Sequence, residues 1–528
     1  MSKEIWTLDA ETDPFDGSTV VKPFIWGAYN GDDYEIFINT ADMIDFFIDK
    51  DVIVYAHNGG KFDYYFMLEY FADFTPIMVI AGRMSKFKIG LAEFRDSINI
   101  LPFSLDTYKK DDIDYSIFTA GERDKPENMR KIKHYLKTDC VYLHEIVTAF
   151  IDLYGLHLTQ AGAAMKIWAK MAGIRPPKTS KDFYDRIAPY YYGGRVEAFR
   201  IGEINEHFKV IDINSAYPYA MTFNHAYGSD YSISKSLPAT QAEIQRAFIS
   251  LSAESTGAFP FRAENGGLSF PSDGKVRTFD ITGWEFISAH KTGTLGQHEI
   301  LKVISFTDKI EFSGYVAHFS DLKISSKKSG DKAGYLFAKI FLNALYGKFG
   351  SNPDKYKTYE LIPQQYITAS ESEGKTFCGN LGHLSLMQED LADDEQRFYN
   401  VAVSASITGF VRAYMWDAMT ECENVMYCDT DSIICTGTGD LDLHPTELGA
   451  WDIEAMGDYG GIAGKKLYAL QTDNGDWKTA SKGVRLDAHE ILAVAKGKEI
   501  VFHPMNPQFS LKRGVRFQAR KVKRSILA

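Results

Sequence analysis

Apolar and polar residues recur with two periods along the chain, and these periods predict its secondary structure. Residues 4–11 alternate, which places Ile5, Thr7, Asp9 and Glu11 on one side of a strand. Further strands are predicted over residues 52–56, 210–218 (ending at the proline) and 299–306, and in the two arms of a hairpin over residues 425–435. Spacings of three and four predict helical runs over residues 63–70, 129–150, 160–171, 334–348 and 401–421. A chain of 528 residues is too long for one core, so these elements predict a multidomain protein of mixed α/β and α+β class.

The tip of the predicted hairpin carries two acidic residues, Asp429 and Asp431, on either side of Thr430. Carboxylates this close repel each other, and a divalent cation would relieve the repulsion. Asp is also a common turn residue, and most Asp-rich turns bind nothing. The tripeptide alone favours a turn without a ligand, so a chemical role requires a third carboxylate from elsewhere in the chain.

The charge of the chain is unevenly distributed. A net charge of −12 argues weakly against a nucleic-acid binder. However, residues 512–524 contain no acidic residue and a cluster of basic ones: Lys512, Arg513, Arg516, Arg520, Lys521, Lys523 and Arg524. Because a polyanion responds to the local field, this segment is a candidate contact for a nucleic-acid backbone.

The remaining composition is that of a soluble globular enzyme, with 45% hydrophobic, 14% aromatic and 24% charged residues. The five cysteines lack metal-ligand spacing, so neither a zinc site nor a disulfide framework is expected. No signal peptide precedes the first strand, and no apolar run reaches membrane-spanning length. The sequence therefore predicts a soluble intracellular protein without a membrane partner.

Four acidic residues in the first third of the chain form a second candidate site: Asp9, Glu11, Asp63 and Asp139. Four carboxylates can hold two divalent ions, one activating water and one stabilising the leaving oxygen of a phosphodiester. Each acid alone is better explained as a surface charge or a helix cap. Together with Tyr135, one helical turn before Asp139, their segments resemble the three motifs of the proofreading 3′→5′ exonuclease domain of family B DNA polymerases.

This resemblance implies an RNase H-like sheet, metal ligation by the four acids, and a water molecule oriented by Tyr135. It further implies that Asn58 and Phe62 hold the 3′ end of a single strand. Ser97-Ile98 resembles another single-strand contact motif, with Ile where Leu is usual. Lys110 matches a lysine that assists exonucleolysis in the protein-primed subgroup of the family.

Residues 210–218 resemble polymerase motif A of the same family, with Ala216 in place of the usual Leu. They provide Asp212 as the third carboxylate for the hairpin, which itself resembles motif C. The resemblance implies that Asp212, Ile213 and Asp429 hold the metal, and that Asp431 completes the carboxylate cluster near the primer end. Tyr217 would lie under the sugar of the incoming nucleotide and exclude a 2′-hydroxyl.

The helix predicted over residues 334–348 resembles motif B, with Lys339, Asn343 and Tyr346 on one stripe. Lys339 would bind the triphosphate as a point charge, and Tyr346 would pack on the nascent base pair. Lys327 is the preferred additional triphosphate contact among the lysines that precede this helix. A helix with one polar face remains the ordinary alternative.

Three shorter patterns complete the order of motifs and imply contacts with DNA: Tyr191, Gly193 and Gly194 for the template backbone, Lys466 and Tyr468 of a Lys-x-Tyr motif for the primer end, and Lys482 as a further primer contact. The glycines suit a close approach of backbone to phosphate.

The gaps from Asp212 to Lys339 and from Lys339 to Asp429 are both longer than a palm–fingers connection needs. They resemble the two insertions of protein-primed family B polymerases, and the short chain is most similar to the small phage enzymes. The domain boundaries implied are an exonuclease domain at 1–158, linker and palm at 159–223, a first insertion at 224–316, fingers at 317–350, a second insertion at 351–398, palm at 399–497 and thumb at 498–528.

In that subgroup the first insertion binds a terminal protein and DNA, and the second supports processivity and strand displacement. The resemblance implies a DNA-directed DNA polymerase with 3′→5′ exonuclease activity, which takes template-primer DNA, dNTPs and a terminal protein as primer. Two Mg²⁺ ions, replaceable by Mn²⁺, are expected at each site, in a monomer in the host cytoplasm. The alternatives are a nucleic-acid-primed polymerase of the same family and a catalytically silent DNA-binding scaffold.

Overall fold

The structure is a computed structural model. It describes residues 3–14, 21–175, 178–264, 266–352, 356–391, 397–483, 486–502, 508–510, 514–516 and 522–526.

The first part of the chain forms a sheet covered by helices. Its strands are β1 (Ile5–Thr12), β2 (Pro23–Tyr29), β3 (Tyr34–Phe37), β4 (Ile53–Ala56), β5 (Thr75–Ile80), β6 (Arg83–Ile89) and β7 (Ala92–Asp96). Its helices are α1 (Thr40–Phe47), α2 (Ala120–Arg123) and α3 (Pro126–Tyr154), with short 3-10 helices at Gly59–Lys61, Asp63–Tyr70, Ser97–Asn99, Leu105–Thr107 and Tyr115–Phe118. The run predicted from residue 63 is therefore a 3-10 helix, and the helix predicted over 129–150 extends further at both ends.

Strand β1 pairs parallel with β4 and antiparallel with β2, and α3 packs across it. The hydroxyl of Thr7 donates to the carbonyl of Cys140 on α3 at 2.8 Å. Gly27 on β2 permits a close approach, since a Cβ there would lie 2.8 Å from the side chain of Leu136. Because side chains alternate along β1, Asp9 and Glu11 face α3 on the same side as Thr7.

The next segment contains α4 (Gln160–Ala172), α5 (Lys181–Ile187), a 3-10 helix (Ala188–Tyr190), β8 (Val196–Ala198), β9 (Gly202–Ile204), β10 (Phe208–Ile213) and α6 (Ala216–Met221). The following segment contains β11 (His225–Ala226), β12 (Tyr231–Ser234), α7 (Gln241–Ile244), β13 (Ala247–Glu254), β14 (Phe261–Arg262), β15 (Leu268–Ser269), β16 (Val276–Thr282), α8 (Gly283–Lys291), β17 (His298–Phe306) and β18 (Lys309–Ile310). A four-stranded sheet in the order β12-β17-β13-β16 forms the centre of this second segment.

Two helices follow, α9 (Ser313–Ser329) and α10 (Lys332–Phe349), and the hydroxyl of Tyr315 joins them by donating to the carbonyl of Phe341 at 3.0 Å. The next elements are β19 (Lys357–Pro363), a 3-10 helix (Gln364–Tyr366), α11 (Ile367–Ser372), β20 (Thr376–Leu381) and β21 (Leu384–Asp390). Strand β19 pairs antiparallel with β5, and the sheet of the first segment therefore has ten strands, in the order β20-β21-β19-β5-β6-β7-β4-β1-β2-β3. The weak periodicity of residues 351–397 does not predict this pairing.

Helix α12 (Val401–Glu421) has the predicted bounds and is largely buried. After it come β22 (Tyr427–Asp429), β23 (Ser432–Cys435), β24 (Trp451–Gly457), β25 (Tyr459–Gly464), β26 (Leu467–Gln471), β27 (Trp477–Ser481), α13 (Ala488–Ala495), β28 (Ile500–Phe502), β29 (Gln508–Ser510), β30 (Gly514–Arg516) and β31 (Val522–Arg524). A five-stranded sheet in the order β24-β10-β23-β22-β8 joins the hairpin to β10.

Part of the basic C-terminal segment lies outside the described residues, namely Lys512, Arg513, Arg520 and Lys521, and the side chain of Arg516 is likewise not described. Of the remainder, Lys523 pairs with Glu499, and the guanidinium of Arg524 donates to the carbonyl of Lys482 at 3.2 Å. Throughout the described ranges, no helix combines the length and the apolar character needed to cross a membrane.

Candidate active sites

The acidic hairpin has the predicted form, with Asp429 ending β22 and paired with Ser432 at the start of β23. Thr430 turns the chain with φ of 59°, and its amide donates to the carbonyl of Arg195 at 2.6 Å. The turn is therefore tied to the segment that precedes β8. This contact sets the position of both carboxylates relative to the five-stranded sheet.

Asp212 lies beside the hairpin, because β10 pairs with β23 and places Asp212 opposite Ser432. The amide of Ile213 donates to the carbonyl of Asp431 at 2.9 Å. Burial, and secondarily the charge of Asp431, raises the pKa of Asp212 to about 7. Burial and the charge of Asp429 also raise the pKa of Asp431. The structure thus brings together the three carboxylates that the sequence assigned to one site.

Two further acids, Asp452 and Glu454 on β24, join this cluster and were missed by sequence reasoning. Asp452 lies opposite Asp212 in the β10–β24 pairing, and both acids contribute to the raised pKa of Asp212. Lys478 on β27 pairs with Glu454 at 2.6 Å and opposes that shift. Neither acid lies in a recognised motif, and only the register of β24 against β10 would have revealed them.

Lys466, expected at the primer phosphate, lies instead on the carboxylate of Asp429. Its Nζ is 2.7 Å from both Oδ1 and Oδ2. Its backbone amide donates to the hydroxyl of Tyr427, and the ring of Tyr468 meets the ring of Tyr427 edge-on at 5.2 Å. The Lys-x-Tyr motif and the hairpin therefore form one connected unit. Lys482 is exposed, and its amide donates to the carbonyl of Lys466 at 3.0 Å.

The Tyr-Gly-Gly segment packs directly on the tip of the hairpin. A Cβ on Gly194 would lie 2.8 Å from Cγ2 of Thr430, whereas a Cβ on Gly193 would meet nothing within 4 Å. Only the second glycine is therefore required by close packing. The ring of Tyr191 lies against Gly350 at the end of α10, where a Cβ would come within 2.5 Å of it.

The candidate nucleotide pocket contains a stacked pair of aromatic rings. Tyr217 and Tyr346 have centroids 4.4 Å apart and planes inclined by 6°. On the same helix as Tyr346, Lys339 and Asn343 are exposed, and Lys327 is exposed on α9. The stripe predicted on α10 is thus its accessible face.

The second cluster, formed by Asp9, Glu11, Asp63 and Asp139, lies between β1 and α3. Burial and the mutual repulsion of the four groups raise the pKa of Asp9 well above its ordinary value and that of Glu11 to about 8. Burial is the largest cause that raises the pKa of Asp63 to about 7 and that of Asp139 to about 6.

Tyr135 and Lys110 lie at the edge of this second cluster. A hydrogen bond with Tyr135 and the charge of Lys110 both lower the pKa of Asp139, against the stronger effect of burial. The hydroxyl of Tyr135 is 3.2 Å from that of Tyr115, and Lys110 pairs with Asp106 at 3.1 Å. Both predicted residues are therefore within electrostatic reach of the acids.

The residues expected to hold a single strand line the neighbouring turn. Asn58 is exposed with φ of 63° and accepts a hydrogen bond from Arg83 at 3.0 Å, and Phe62 packs edge-on against Phe66. Ser97 is buried and bonds Nδ1 of His57 at 2.9 Å, and the amide of Ile98 donates to Asp96. Ser97 is thus enclosed, with its hydroxyl close to His57, whereas Asn58, Phe62 and Ile98 retain accessible surface.

The donor sets of both clusters suit a divalent ion. Oε1 of Glu11 and Oδ1 of Asp63 are buried and have no hydrogen-bond partner, and they lie among groups of the same charge. Within the described residues, no group of three or more His, Cys, Asp or Glu side chains is already arranged to hold a metal ion. Mg²⁺ commonly takes only one or two carboxylates and completes its shell with water and substrate phosphates. The clusters fit that mode of binding.

Two buried arginines were also missed: Arg412, which lies outside the motifs, and Arg195, which directly follows the Tyr-Gly-Gly segment. Arg412 on α12 donates to the carbonyls of Tyr192 and Gly193 at 2.8 and 3.0 Å and to Glu285 at 2.7 Å. Arg195 donates to Glu197 and to the carbonyl of Gly257. Both hold the segment that contacts the hairpin tip.

Known proteins resemble this chain over much of its length. The family model for DNA polymerase type B, organellar and viral, matches residues 106–380. A DNA-directed DNA polymerase of Enterobacteria phage PRD1 is 36% identical over 497 residues, covering 92% of this chain and 87% of the phage protein. A DNA polymerase of Bacillus phage Nf is 25% identical over 403 residues, covering 68% of this chain and 64% of that protein.

Solved structures of Phi29 DNA polymerase have the same fold over the whole length of both chains. The complex with primer-template DNA matches with a TM-score of 0.75 at 17% identity, and the ternary complex with incoming nucleotides with 0.75 at 18%. The fold is thus that of a multidomain polymerase of mixed α and β structure. The chain belongs to the type B DNA polymerases of the organellar and viral family. Polymerases of this family depend on metal ions.

Proposed function

We propose that the chain replicates a linear phage-type genome by protein-primed initiation and strand displacement, with polymerase and proofreading exonuclease at separate sites. The observation that carries the polymerase site is the convergence of Asp212 with Asp429 and Asp431 across the β10–β23 pairing. The proposed domain boundaries are those given by the sequence, with insertions at 224–316 and 351–398. The protein would act as a monomer in the host cytoplasm.

In the polymerase reaction, a 3′-hydroxyl attacks the α-phosphate of a dNTP in line. Asp212, the backbone of Ile213 and Asp429 would hold two Mg²⁺ ions, for which Mn²⁺ can substitute. When bound, these ions lower the pKa of the attacking hydroxyl and stabilise the developing charge on pyrophosphate. Asp431 would complete the cluster near the primer end.

The chain's own residues would position the reactants around these carboxylates. Lys339 and Lys327 would bind the triphosphate, Asn343 would face it, and Tyr346 would pack on the nascent base pair. Separation of the Tyr217 and Tyr346 rings would open the space for the base and sugar, since the two rings lie in contact. Tyr217 would then lie below the sugar and exclude a 2′-hydroxyl.

The DNA contacts proposed are of two kinds. Tyr191 and the glycines Gly193 and Gly194 would approach the template backbone. The side chains of Lys466, Tyr468 and Lys482 would contact the primer strand. Residues of the basic C-terminal segment would contact the duplex backbone.

In the exonuclease reaction, Asp9, Glu11, Asp63 and Asp139 would hold two metal ions and Tyr135 would orient the attacking water. Their raised pKa values favour this role, because a bound cation offsets the cost of keeping four buried carboxylates charged. Lys110 would assist, and Asn58, Phe62, Ser97 and Ile98 would contact the single strand.

Two variants test the separation of the sites. Asp429→Asn should abolish primer extension on a labelled duplex and leave digestion of a labelled single strand intact. The double variant Asp9→Ala, Glu11→Ala should do the reverse. Parallel loss of both activities in either protein, with an unchanged thermal unfolding midpoint, would count against separate sites.

Protein priming has its own test. Origin-containing duplex and labelled dATP are incubated with the polymerase, with and without a candidate terminal protein. Covalent labelling of the terminal protein is the expected result. Initiation only from an annealed oligonucleotide would identify a nucleic-acid-primed enzyme instead, and absence of any metal-dependent extension would identify a silent scaffold.

A further inference from the structure

Tyr34 on β3 has a buried hydroxyl to which the proposed mechanism gives no role. Among the described residues, its oxygen has no hydrogen-bond partner. A buried donor of this kind gives up its bonds to water on folding and gains none in return, which destabilises the fold. Such groups are uncommon in folded proteins, and one that is retained calls for a functional explanation.

The register of the sheet places this hydroxyl beside Asp9. Gly27 on β2 lies directly opposite Asp9 on β1, and residues paired in this way share one face of an antiparallel sheet. A Cβ on Gly27 would lie 2.8 Å from the hydroxyl oxygen of Tyr34 and 2.8 Å from the side chain of Leu136 on α3. The phenol therefore fills the space next to Asp9 that a larger residue at position 27 would take, on the face that α3 covers.

The length of the tyrosine side chain makes this approach possible. Strand β3 pairs with the far edge of β2, where Tyr34 lies opposite Tyr29 and Ile36 lies opposite Gly27. Tyr34 is therefore the diagonal neighbour of Gly27, and diagonal neighbours about 7–8 Å apart are within reach of an aromatic side chain. The ring crosses above Gly27 and carries its hydroxyl from the outer strand towards β1.

The surroundings of the hydroxyl are acidic. Burial is the main cause that raises the pKa of Tyr34, and three ionisable neighbours add to it: Cys140, Asp9 and Glu11. The hydroxyl therefore keeps its proton at neutral pH and acts as a donor towards a charged carboxylate. The thiol of Cys140 is already bonded to the carbonyl of Gly27 at 3.3 Å. A carboxylate is thus the acceptor that the site offers to Tyr34.

We propose that Tyr34 is a positioning residue of the exonuclease site, whose hydroxyl donates to the carboxylate of Asp9, directly or through one water molecule, when that carboxylate holds a metal ion. This rests on the proposed assignment of Asp9 as a metal ligand. Carboxylates that hold metal ions are themselves hydrogen-bonded by neighbouring groups, which fix their orientation. Because Leu136 covers the hydroxyl, Tyr34 acts on Asp9 and not on the DNA.

The test measures metal binding and needs no turnover. Mn²⁺ is titrated, with detection by electron paramagnetic resonance, into a background protein that carries Asp212→Asn and Asp431→Asn, which neutralise two carboxylates of the hairpin cluster. Adding Tyr34→Phe removes only the hydroxyl and should weaken Mn²⁺ binding by roughly 10–100-fold, the usual effect of losing such a neighbour. The thermal unfolding midpoint of this variant in EDTA should equal or exceed that of the background protein, because an unpaired buried hydroxyl has been removed.

Tyr29→Phe is the matched control. Tyr29 lies opposite Tyr34, and its hydroxyl donates to the carbonyl of Gly31 instead of facing the acids. Removing the same atom from the neighbouring strand should leave the Mn²⁺ affinity unchanged. In the otherwise unaltered chain, Tyr34→Phe should slow digestion of a labelled single strand at limiting Mn²⁺ and recover at saturating Mn²⁺. Its primer extension should match that of the wild type.

Three results would overturn the proposal: Mn²⁺ affinity in Tyr34→Phe equal to that of the background protein, an equal loss in Tyr29→Phe, or a lowered midpoint of Tyr34→Phe in EDTA, which would show that the hydroxyl is bonded within the fold. Asp9→Asn separates these results from failure of the proposed function. If Asp9→Asn leaves the Mn²⁺ stoichiometry unchanged, the metal assignment is wrong. If it removes a site while the two Phe variants behave alike, only the role of Tyr34 is wrong.

Discussion

Nε of Arg412 lies 2.7 Å from Oε1 of Glu285, and both side chains are only 2% exposed. The pair joins α12 to α8, and Nη1 of Arg412 donates to the carbonyls of Tyr192 and Gly193. Through Glu285, which caps α8 together with Thr282, the proposed first insertion is connected to the segment that contacts the hairpin tip. A charged pair this deeply buried has consequences for both stability and activity.

Arg412→Met should destabilise the protein by about 3–5 kcal/mol, because it leaves the carboxylate of Glu285 buried without a counter-charge. The double variant Arg412→Met, Glu285→Gln should recover part of that loss, since the uncompensated charge is gone. Chemical denaturation monitored by circular dichroism measures both. A double variant as unstable as the single one would show that the carbonyl contacts, not the ion pair, account for the loss.

Gly194→Ala should lower primer extension by about 100-fold, a size typical of a displacement of about 1 Å at a reacting centre. The added Cβ would lie 2.8 Å from Thr430 and would shift Asp429 and Asp431. Single-turnover nucleotide incorporation measures the effect. Gly193→Ala is the matched control, since its Cβ meets nothing within 4 Å. Adding Thr430→Ala to Gly194→Ala should restore part of the rate, and equal losses in both glycine variants would argue against the contact.

Tyr217→Val should reduce discrimination between dNTPs and rNTPs, whereas Tyr217→Phe should retain it. The phenol ring, stacked on Tyr346, is the bulk expected to exclude a 2′-hydroxyl. Removing a steric contact of this kind changes selectivity by roughly 10–200-fold. The ratio of kcat/KM for dATP and ATP measures it. An unchanged ratio in Tyr217→Val would place the discrimination elsewhere.

His225 should make the stability of the protein fall as pH is lowered from about 7 to 5. Burial, partly opposed by a hydrogen bond to the carbonyl of Ala220, lowers the pKa of His225 to about 4. The unfolded chain, with a histidine pKa of about 6.5, therefore binds more protons in this window, and the folded state loses about 2 kcal/mol at pH 5. In the folded state Nε2–H of the ring donates to the carbonyl of Ala220, and Nδ1 accepts from the hydroxyl of Ser406, so a charged ring would require that hydroxyl to turn its proton elsewhere.

The measurement compares thermal unfolding midpoints of the wild type and His225→Gln at pH 7.5 and pH 5. The variant lacks the titrating group, so the difference between the two proteins at pH 7.5 should shrink at pH 5. A difference that stays constant across the two pH values would contradict the assignment.

Local sequence patterns predicted the elements whose own residues show a clear apolar period or a turn signature. The bounds of α12 and the acidic hairpin follow from apolar spacing and turn chemistry. The family resemblance predicted that Asp212 lies beside the hairpin, and the pairing of β10 with β23 places it there. The contact of Lys466 with Asp429 could not be predicted in this way. Its motif implies a primer contact, but its position on Asp429 depends on the turn between β25 and β26 and on the hydroxyl of Tyr427.

The residues that sequence reasoning missed are those whose roles depend on register or burial. Glu454 belongs to the acidic cluster only because β24 pairs with β10, and Arg412 is a buried anchor only because α12 is enclosed on all sides. Likewise, nothing in the polar stretch from 351 to 397 indicates that its strands extend the sheet of the first segment. The alternation of a strand shows which of its residues face the core, but it does not show which other strand it pairs with.

The pairing of β19 with β5 has a consequence for the protein while it is being synthesised. While the chain emerges from the ribosome, the residues of β5 are made long before those of β19, and until then β5 is the open border of the sheet. Such a border readily recruits strands from other molecules. Nascent chains halted before residue 357 should therefore be more prone to aggregate than chains released after residue 390, because β19 covers the edge of β5.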